Sequence, residues 1–157
     1  MSLRELAAQS KRRRKRRTLK RSRRKGYRAE RQLVKKLRKY GYKSVRVPVS
    51  APSNEPLPDV FATRGETLMA FEVKAQDAEK VRFRKKQVEK LFEFLGMFEM
   101  YDRKHAVLAG KFPYKWVFKR VGKPDDYDIL KEEESNIELG LQRNGREKRV
   151  WIDQSLG

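Results

Sequence analysis

The sequence predicts an α/β fold in which a central mixed β-sheet is flanked by helices. Two segments carry apolar residues at the spacing of one helix face, and several short runs are rich in β-branched and aromatic residues. These two kinds of segment follow one another along the chain, as in a layered α/β domain. With 157 residues, the chain has the length of one domain.

The first helix is predicted over Tyr27–Tyr40 and ends at Gly41, because glycine favours the conformation that closes many helices. Its apolar stripe includes Leu33 and Val34, and Glu30 lies three or four residues before them on the same face. A carboxylate on a core-facing stripe needs a reason. Taken alone, this glutamate is better explained by the helix dipole or by pairing with an arginine.

The next segments predict a strand, a loop and a hairpin. The strand covers Ser44–Val49, and Pro48 favours either an edge position or a strand end. The segment 50–56 is rich in Ser, Pro and Asn and is interpreted as a loop. The hairpin has one arm over Asp59–Thr63 and the other over Thr67–Lys74. Because both faces of the second arm are apolar before its acidic end, we expect it to be a central strand.

The second half of the chain predicts one helix and two more strands. The helix covers Phe83–Phe98, and the strands cover His105–Ala109 and Lys115–Val121. The solvated side of this helix is predicted to carry Lys85, Lys86, Glu89, Lys90 and Glu93. Beyond Gly122 the pattern weakens, and the acidic segment Asp125–Glu134 is interpreted as a loop or short helix. Three apolar residues after it predict either a further strand or an interface: Ile137, Leu139 and Leu141.

The charge is strongly positive and unevenly distributed. The chain has 41 Lys and Arg against 21 Asp and Glu, a net charge of +20. Residues 1–25 contain 13 basic residues and one Glu, so they carry +12 (13 − 1) and the remainder carries +8 (20 − 12). We expect these 25 residues to form a disordered basic tail ahead of a domain over residues 26–157, since like charges repel and little apolar surface is available.

A chain this basic is expected to bind a polyanion, and nucleic acid is favoured over a membrane surface. The tail is interpreted as a non-specific phosphate-binding segment. A localisation or ribosome-association signal is the alternative. No apolar run approaches the ~20 residues that span a bilayer, and no secretory signal is seen at the amino terminus. The chain has no cysteine, which fits a cytoplasmic protein.

The residues that indicate chemistry lie on the predicted hairpin. With the turn centred on its Gly-Glu pair, Phe61 faces Ala70 and Asp59 faces Glu72, while strand alternation puts Lys74 on the face of Glu72. Directly opposed carboxylates repel each other and destabilise a sheet unless a cation lies between them. The pairing therefore predicts a cation site at this end of the hairpin.

This set of side chains suits phosphodiester hydrolysis. Carboxylate oxygens favour Mg²⁺ or Mn²⁺, which acts as a Lewis acid on the phosphoryl oxygen. Asp59 and Glu72 are predicted as ligands, and Glu30 from the packed helix could complete the metal-binding set through a water. Lys74 can orient or deprotonate the attacking water, or offset the developing charge. A surface hairpin with ordinary charges is the alternative, and it is less favoured because all four residues occur together.

The chain resembles the PD-(D/E)XK nuclease superfamily and, within it, the archaeal Holliday junction resolvases. The resemblance covers residues 24–121 and lies in these motifs: Arg24-Lys25-Gly26, Ala29-Glu30-Arg31, Gly41-Tyr42, Arg46, Ser50, Pro58-Asp59-Val60, Phe71-Glu72-Val73-Lys74 and Arg84–Gln87. It implies a restriction-endonuclease-like fold whose catalytic residues are Glu30, Ser50, Asp59, Glu72 and Lys74, with Gln87 near the metal. The basic tail and the acidic segment Asp125–Glu134 depart from the family pattern.

The resemblance also implies a homodimeric, Mg²⁺-dependent endodeoxyribonuclease that resolves four-way DNA junctions by paired nicks in homologous recombination and repair. A junction has approximate two-fold symmetry, so two symmetry-related sites suit it. Two alternatives stay open: a related nuclease acting on other DNA or RNA, and a non-catalytic basic binding module. The dimer surface is expected to use apolar residues outside the core, with three aromatic candidates: Trp116, Phe118 and Trp151.

Junction recognition is expected to depend on shape and phosphates rather than on base edges. A merely solvated charge is the alternative for each expected phosphate contact. His105 is the only histidine, and we interpret it as structural. The expected phosphate contacts are Lys11, Arg12, Arg13, Arg14, Arg23, Arg24, Lys25, Arg46, Arg82, Arg84, Lys85 and Lys86.

Overall fold

A computed structural model describes residues 1–48 and 54–140, which form two helices and seven strands. Neither helix in this part of the chain has the length and apolar character needed to span a lipid bilayer. In chain order the elements are α1 (Leu3–Lys39), β1 (Lys43–Arg46), β2 (Val60–Arg64), β3 (Thr67–Ala75), β4 (Lys80–Phe83), α2 (Lys85–Gly96), β5 (Arg103–Phe112), β6 (Lys115–Val121) and β7 (Tyr127–Leu130).

Five strands form one mixed sheet in the order β1-β2-β3-β5-β6, and β4 pairs with β7 in a separate ribbon. The pair β3–β5 is parallel, and the other pairs in the large sheet are antiparallel. A parallel pair needs a long crossover connection, which β4 and α2 provide. The predicted mixed sheet is confirmed, and so are the edge position of β1 and the central position of β3.

The sheet separates two apolar cores. On one face, Leu33 and Leu37 of α1 pack with Phe71 of β3 in a buried cluster. On the other face, Leu91 of α2 packs with Leu108 of β5 and with the ribbon strands. Successive strand residues point to opposite faces, so a strand buried on both faces reads as a continuous apolar run, as β3 does.

The hairpin of β2 and β3 has the predicted register. Phe61 pairs with Ala70, and Thr63 pairs with Leu68. The turn includes Gly65 at φ +56°, a conformation that glycine adopts without a steric penalty. The ladder begins at the pair of Val60 with Phe71, so the catalytic candidate Asp59 lies one residue outside β2.

The first helix is much longer than predicted, because it begins at Leu3 and includes the segment expected to be disordered. The side chain of Ser2 accepts a hydrogen bond from the N–H of Glu5, and the Glu5 side chain accepts one from the N–H of Ser2. This reciprocal cap satisfies N–H groups at the helix start. Ala, Leu, Arg and Lys also favour helices, so local preference prevails over charge repulsion. The domain boundary at residue 25 falls inside α1.

Two further elements differ from the prediction. The segment Asp125–Glu134 contains β7, which pairs with the unpredicted strand β4. Ile137 and Leu139 form no strand and pack in the core beneath α1. Leu141 and Trp151 lie outside the described residues. Local patterns of four residues are too short to reveal a two-stranded ribbon, whose pairing depends on distant contacts.

Two of the three aromatic residues expected at a dimer surface stack on each other at the sheet edge. The Trp116 and Phe118 rings lie 5.5 Å apart and nearly parallel. Phe118 is buried in the core beneath α1, and Trp116 is partly buried against the same core. Phe118 is therefore a core residue of its own chain, and the expectation that it lies outside the core is wrong.

Gly110 lies where β5, the ribbon and β3 approach one another. It pairs with Lys74 in the parallel ladder. A Cβ atom at this position would lie 3.2 Å from side-chain carbons of Phe112 and Val81, and 3.5 Å from Ile129. These separations are tighter than an ordinary carbon contact at the first two positions. The absence of a side chain at residue 110 lets the ribbon cover the sheet closely.

Candidate active site

Asp59 is fixed by hydrogen bonds on three sides. Its N–H donates to the carbonyl oxygen of Phe71 at 3.0 Å, and its carbonyl oxygen accepts from the N–H of Val47 at 2.9 Å. Its carboxylate oxygen Oδ2 accepts from the N–H of Val73 at 2.8 Å. The carboxylate therefore lies against the β3 main chain, immediately after Glu72.

Glu72 and Lys74 extend from the central strand on the α2 side of the sheet. Leu68 and Ala70 belong to the core on that side, and alternation along β3 continues this face to both site residues. The Lys74 ammonium donates to the carbonyl oxygen of Arg82 at 2.5 Å and lies 5.4 Å from the centre of the Phe83 ring. The ribbon strand β4 thus positions the amine.

Glu30 reaches the site from α1 and is paired with an arginine. It is 8% exposed, and its Oε2 accepts a hydrogen bond from Nε of Arg46 at 2.5 Å. The Arg46 guanidinium also lies 4.5 Å from the centre of the Tyr27 ring. The pairing of this glutamate with an arginine, which the sequence left open, is present. Arg46 lies beside a carboxylate rather than alone on the surface.

The three carboxyl groups influence one another's ionisation. Burial raises the pKa of Glu72 well above its usual range, and the neighbouring charge of Asp59 raises it further. Burial also raises the pKa of Asp59, against the hydrogen bond from Val73 and the positive charges of Arg46 and Lys74. The pKa of Glu30 is raised by burial, lowered by its hydrogen bond with Arg46, and raised again by Asp59.

Lys74 is perturbed in the opposite direction. Burial lowers its pKa, the nearby Glu72 charge acts against that decrease, and the charge of Arg84 adds to it. A lysine with a lowered pKa exchanges its proton more readily near neutral pH than a solvated lysine does. The same amine, when protonated, can stabilise a negative charge beside it.

The donor chemistry of Asp59 and Glu72 suits a hard divalent cation. Their carboxylates are close enough to oppose each other's ionisation, and a cation between them would remove that penalty. Within residues 1–48 and 54–140, however, no three His, Cys, Asp or Glu side chains converge as a metal site. Glu30 is engaged with Arg46, so the predicted three-carboxylate ligand set is not assembled in this arrangement.

Lys90 is a site neighbour that sequence reasoning assigned to the solvated side of the second helix. Its positive charge lowers the pKa of both Asp59 and Glu72. It is partly buried and lies one turn before the buried Phe94, at the border of the apolar stripe of α2. The sequence signal that could have identified Lys90 was its position at the edge of a core-facing stripe, with acidic strand ends predicted nearby.

The remaining predicted residues lie around this cluster. Gln87 caps α2, since its side-chain oxygen accepts a hydrogen bond from the N–H of Arg84 at 3.0 Å. Its role near a metal stays a prediction. His105 is buried in β5, and burial lowers its pKa to about 4, which fits a structural role. Ser50 lies outside the described residues. The expected phosphate contacts Lys85 and Lys86 are exposed at the start of α2.

The fold and the site together define a nuclease of the restriction-endonuclease-like class. The model of the family described as archaeal Holliday junction resolvase (Hjc) matches residues 21–147. This match covers more than half of the 157 residues, and the chain belongs to that family.

Individual relatives agree with the family match. The chain is 45% identical over 93 residues to the crossover junction endodeoxyribonuclease Hje of Sulfolobus acidocaldarius, covering 58% of this chain and 66% of the relative. It is 38% identical over 113 residues to Hje of Saccharolobus islandicus, covering 72% and 84%. Among solved structures, the Holliday junction resolvase Hjc of Archaeoglobus fulgidus matches with a TM-score of 0.57 and 30% identity, over 68% of this chain and 88% of that one.

Proposed function

We propose that this protein is a structure-selective DNA endonuclease that resolves four-way junctions by paired, metal-dependent nicks during recombination and repair. The observation that carries the proposal is the Asp59 carboxylate held against the β3 main chain between Glu72 and Lys74, in a chain that belongs to a resolvase family. An ordinary surface hairpin does not require two partly buried carboxylates that repel each other.

Asp59 and Glu72 would hold the cation, with Mg²⁺ as the natural ion and Mn²⁺ as a substitute. When bound, the ion supplies a Lewis acid for the phosphoryl oxygen. The oxygen-only donor set favours these ions over zinc. The hydrogen bond from Val73 keeps the Asp59 carboxylate in place, so the position of the ligand is set before any ion binds.

Lys74 would act on the attacking water and on the charge that develops in the reaction. Its hydrogen bond to the Arg82 carbonyl aims the amine, and its lowered pKa favours proton exchange. In the protonated form it stabilises negative charge on the phosphoryl oxygens. Arg46 pairs with Glu30 beside this centre and lowers the pKa of its carboxyl, so both are proposed as positioning residues of the site.

We infer a homodimer, because resolution by paired nicks needs two sites related by a two-fold axis. A mixing experiment tests this assembly. Wild-type and Asp59→Asn chains would be co-refolded into heterodimers and given a plasmid-borne junction. We expect one nick per binding event from heterodimers and two from wild-type dimers. A monomer in sedimentation experiments that still makes paired nicks would contradict the dimer.

The activity itself is tested with a synthetic four-way junction, a linear duplex of the same sequence, and a matched RNA. We expect Mg²⁺-dependent cleavage of the junction, no cleavage in EDTA, and little cleavage of the duplex. Asp59→Asn should abolish cutting while junction binding persists. Asp102→Asn, which changes an exposed aspartate outside the site, is the matched control and should cut normally.

Two outcomes would replace the proposal. Equal cleavage of junction and duplex, or cleavage of RNA, would favour a nuclease of the same class with another substrate. Junction binding with no cleavage in Mg²⁺ or Mn²⁺, unaffected by Glu72→Ala, would favour a basic binding module without catalysis. The acidic residues of the site argue against the latter, because carboxylates weaken binding to phosphates.

A further inference from the structure

The amino-terminal part of α1 projects from the domain as a helical arm, which we define as residues 3–24. Every residue of this arm is exposed, whereas Ala29, Leu33 and Leu37 of the same helix are buried against the sheet. At 1.5 Å per residue, the arm is roughly 33 Å long. One continuous helix therefore connects Glu30 in the site to a cationic extension.

The arm leaves the domain close to the catalytic end of the sheet. Lys25, at its base, donates to the carboxylate of Asp77 at 2.5 Å, and Asp77 lies in the turn after β3. The charge of Arg21 also lowers the pKa of Asp77, so the next turn of the helix lies near the same loop. The β3 strand that carries Glu72 and Lys74 ends two residues before this contact.

The arm has the composition of a polyanion-binding helix. Residues 11–17 are seven consecutive Lys or Arg, so cations one turn apart, such as Arg12 and Arg16, repel each other. The reciprocal cap of Ser2 and Glu5 starts the helix despite this repulsion. Phosphates bound along the arm would remove the repulsion, which favours binding of a polyanion such as nucleic acid over binding of a neutral partner.

The helical period shows which residues of the arm lie on the same side of α1 as Glu30. Arg12 precedes Glu30 by 18 residues (30 − 12), which is five turns, so both lie on one side of α1. Arg16 and Arg23 precede Glu30 by 14 and 7 residues and lie within roughly 40° of that side. Beyond the domain, this side of the helix is exposed, and it continues the side on which Leu37 packs against the sheet.

We propose that Arg12, Arg16 and Arg23 form a phosphate-binding face that binds the DNA duplex flanking the cleaved strand. The inference rests on the proposed junction-cleaving function and names the part of the substrate that the helical arm binds. Arg12 lies about 27 Å from Glu30 along the helix axis. With the helix parallel to the duplex axis, its contact falls about eight base pairs from the cleaved phosphate at 3.4 Å per step.

This face lies largely outside the part of the chain that the family shares. The family match begins at residue 21, so Arg12 and Arg16 belong to an amino-terminal extension of the matched region. The family match therefore does not account for the position of these arginines, and the proposed contact is specific to a chain that carries the extension.

Two triple variants that remove the same number of charges distinguish the effect of this face from the effect of positive charge in general. The first is Arg12→Gln, Arg16→Gln and Arg23→Gln. The second is Arg14→Gln, Arg17→Gln and Arg28→Gln, whose side chains lie roughly 140–160° around the helix from Glu30. Both would be measured in an Asp59→Asn background, so that binding is not obscured by cleavage, and circular dichroism would confirm equal helix content.

The substrates are junctions whose arms are closed by hairpins and contain either about 5 or about 15 base pairs, chosen around the expected contact. We expect the parent protein to bind the long-arm junction at least five-fold more tightly than the short-arm one. The first triple should lose this difference, and its salt dependence should flatten by about 0.9 in logarithmic slope for each lost phosphate contact. The second triple should keep the arm-length difference.

A third variant, Thr18→Pro, keeps every charge but breaks the helix within the exposed arm. We expect this variant to retain most of the salt dependence of binding. It should lose the difference in affinity between long-arm and short-arm junctions. Equal effects of the two triples, or affinities independent of arm length in the parent protein, would overturn the inference. Either of these outcomes would overturn the inference even if the wild-type chain cleaves junctions. A wild-type chain that cleaves no junction would overturn the proposed function instead.

Discussion

The carboxylate of Asp59 accepts a 2.8 Å hydrogen bond from the main-chain N–H of Val73, the residue between Glu72 and Lys74. One catalytic candidate is thereby fixed to the strand that carries the other two. The arrangement separates two functions of one side chain, because an asparagine retains an oxygen acceptor but lacks the negative charge.

We therefore expect Asp59→Asn and Asp59→Ala to differ in stability but not in activity. Both should reduce cleavage at least 100-fold, since both remove the charge. Asp59→Ala should also lower the free energy of unfolding by about 1–3 kcal/mol, because the buried Val73 N–H loses its partner. Denaturant unfolding and a cleavage assay on the same preparations test this, and equal stabilities would show that the hydrogen bond contributes little.

The pairing of Arg46 with Glu30 predicts a shift in the pH dependence of cleavage. Arg46 lowers the pKa of Glu30, so Arg46→Gln should raise that pKa and leave the carboxyl protonated at higher pH. The acidic limb of the rate profile should move to higher pH. The variant should also lose roughly 1–3 kcal/mol of stability, because a buried charge loses its partner.

Arg46→Lys is the informative comparison for this position. It retains the positive charge but loses the planar guanidinium over Tyr27. We expect its acidic limb to lie between those of the wild type and Arg46→Gln. A pH profile of Arg46→Gln that coincides with that of the wild type would separate Glu30 from the rate-limiting ionisation.

Glu72→Gln should stabilise the metal-free protein at neutral pH. The pKa of Glu72 is raised in the folded state, so the folded chain binds the proton more tightly than the unfolded chain does. Wild-type stability therefore falls as pH rises from the usual glutamate range through the folded pKa, and the glutamine variant escapes this loss. We expect a gain of about 1 kcal/mol, or roughly 2–4 °C in Tm, that disappears in acid.

The same variant tests the cation. Mg²⁺ stabilises a protein that binds it only in the folded state, so the wild-type Tm should rise with Mg²⁺ concentration. Glu72→Gln should show a much smaller rise. An identical Mg²⁺ response in both proteins would indicate that the ion binds elsewhere, whether or not the variant is inactive.

Lys90, which lies on the second helix, is expected to influence the pKa of Asp59 and Glu72. Lys90→Met should raise the pKa of Asp59 and Glu72, because its charge lowers both. The acidic limb of cleavage should move to higher pH. Lys86→Met, one turn earlier and exposed, is the comparison: it should weaken DNA binding at low salt without moving that limb. Coincident pH profiles of the two variants would contradict the assignment.

The parts of the fold that sequence predicted correctly are those with strong local signals. The register of Phe61 with Ala70 followed from a glycine turn and the side-chain period of a strand. Asp59, Glu72 and Lys74 could be placed at one end of the sheet for the same reason. The ribbon of β4 and β7 was missed because four-residue strands depend on contacts distant in sequence.

The site was only partly predictable, because sequence does not specify how side chains pair across elements. Glu30 was recognised on a core-facing stripe, yet its pairing with Arg46 depends on how α1 crosses β1. Lys90 was assigned to solvent because helical periodicity gives a face only to within one residue. The length of α1 was underestimated because net charge was weighted above the capping residues Ser2 and Glu5.

The bare backbone of Gly110 has an effect on its neighbour across the ladder, Lys74. An added methyl group would push against Val81, and Val81 precedes Arg82, whose carbonyl orients the amine. A substitution at Gly110, which has no side chain, would thus shift β4 and alter the reactivity of Lys74. Homologous chains with alanine here should carry a compensating smaller residue opposite it, so the two positions are expected to vary together.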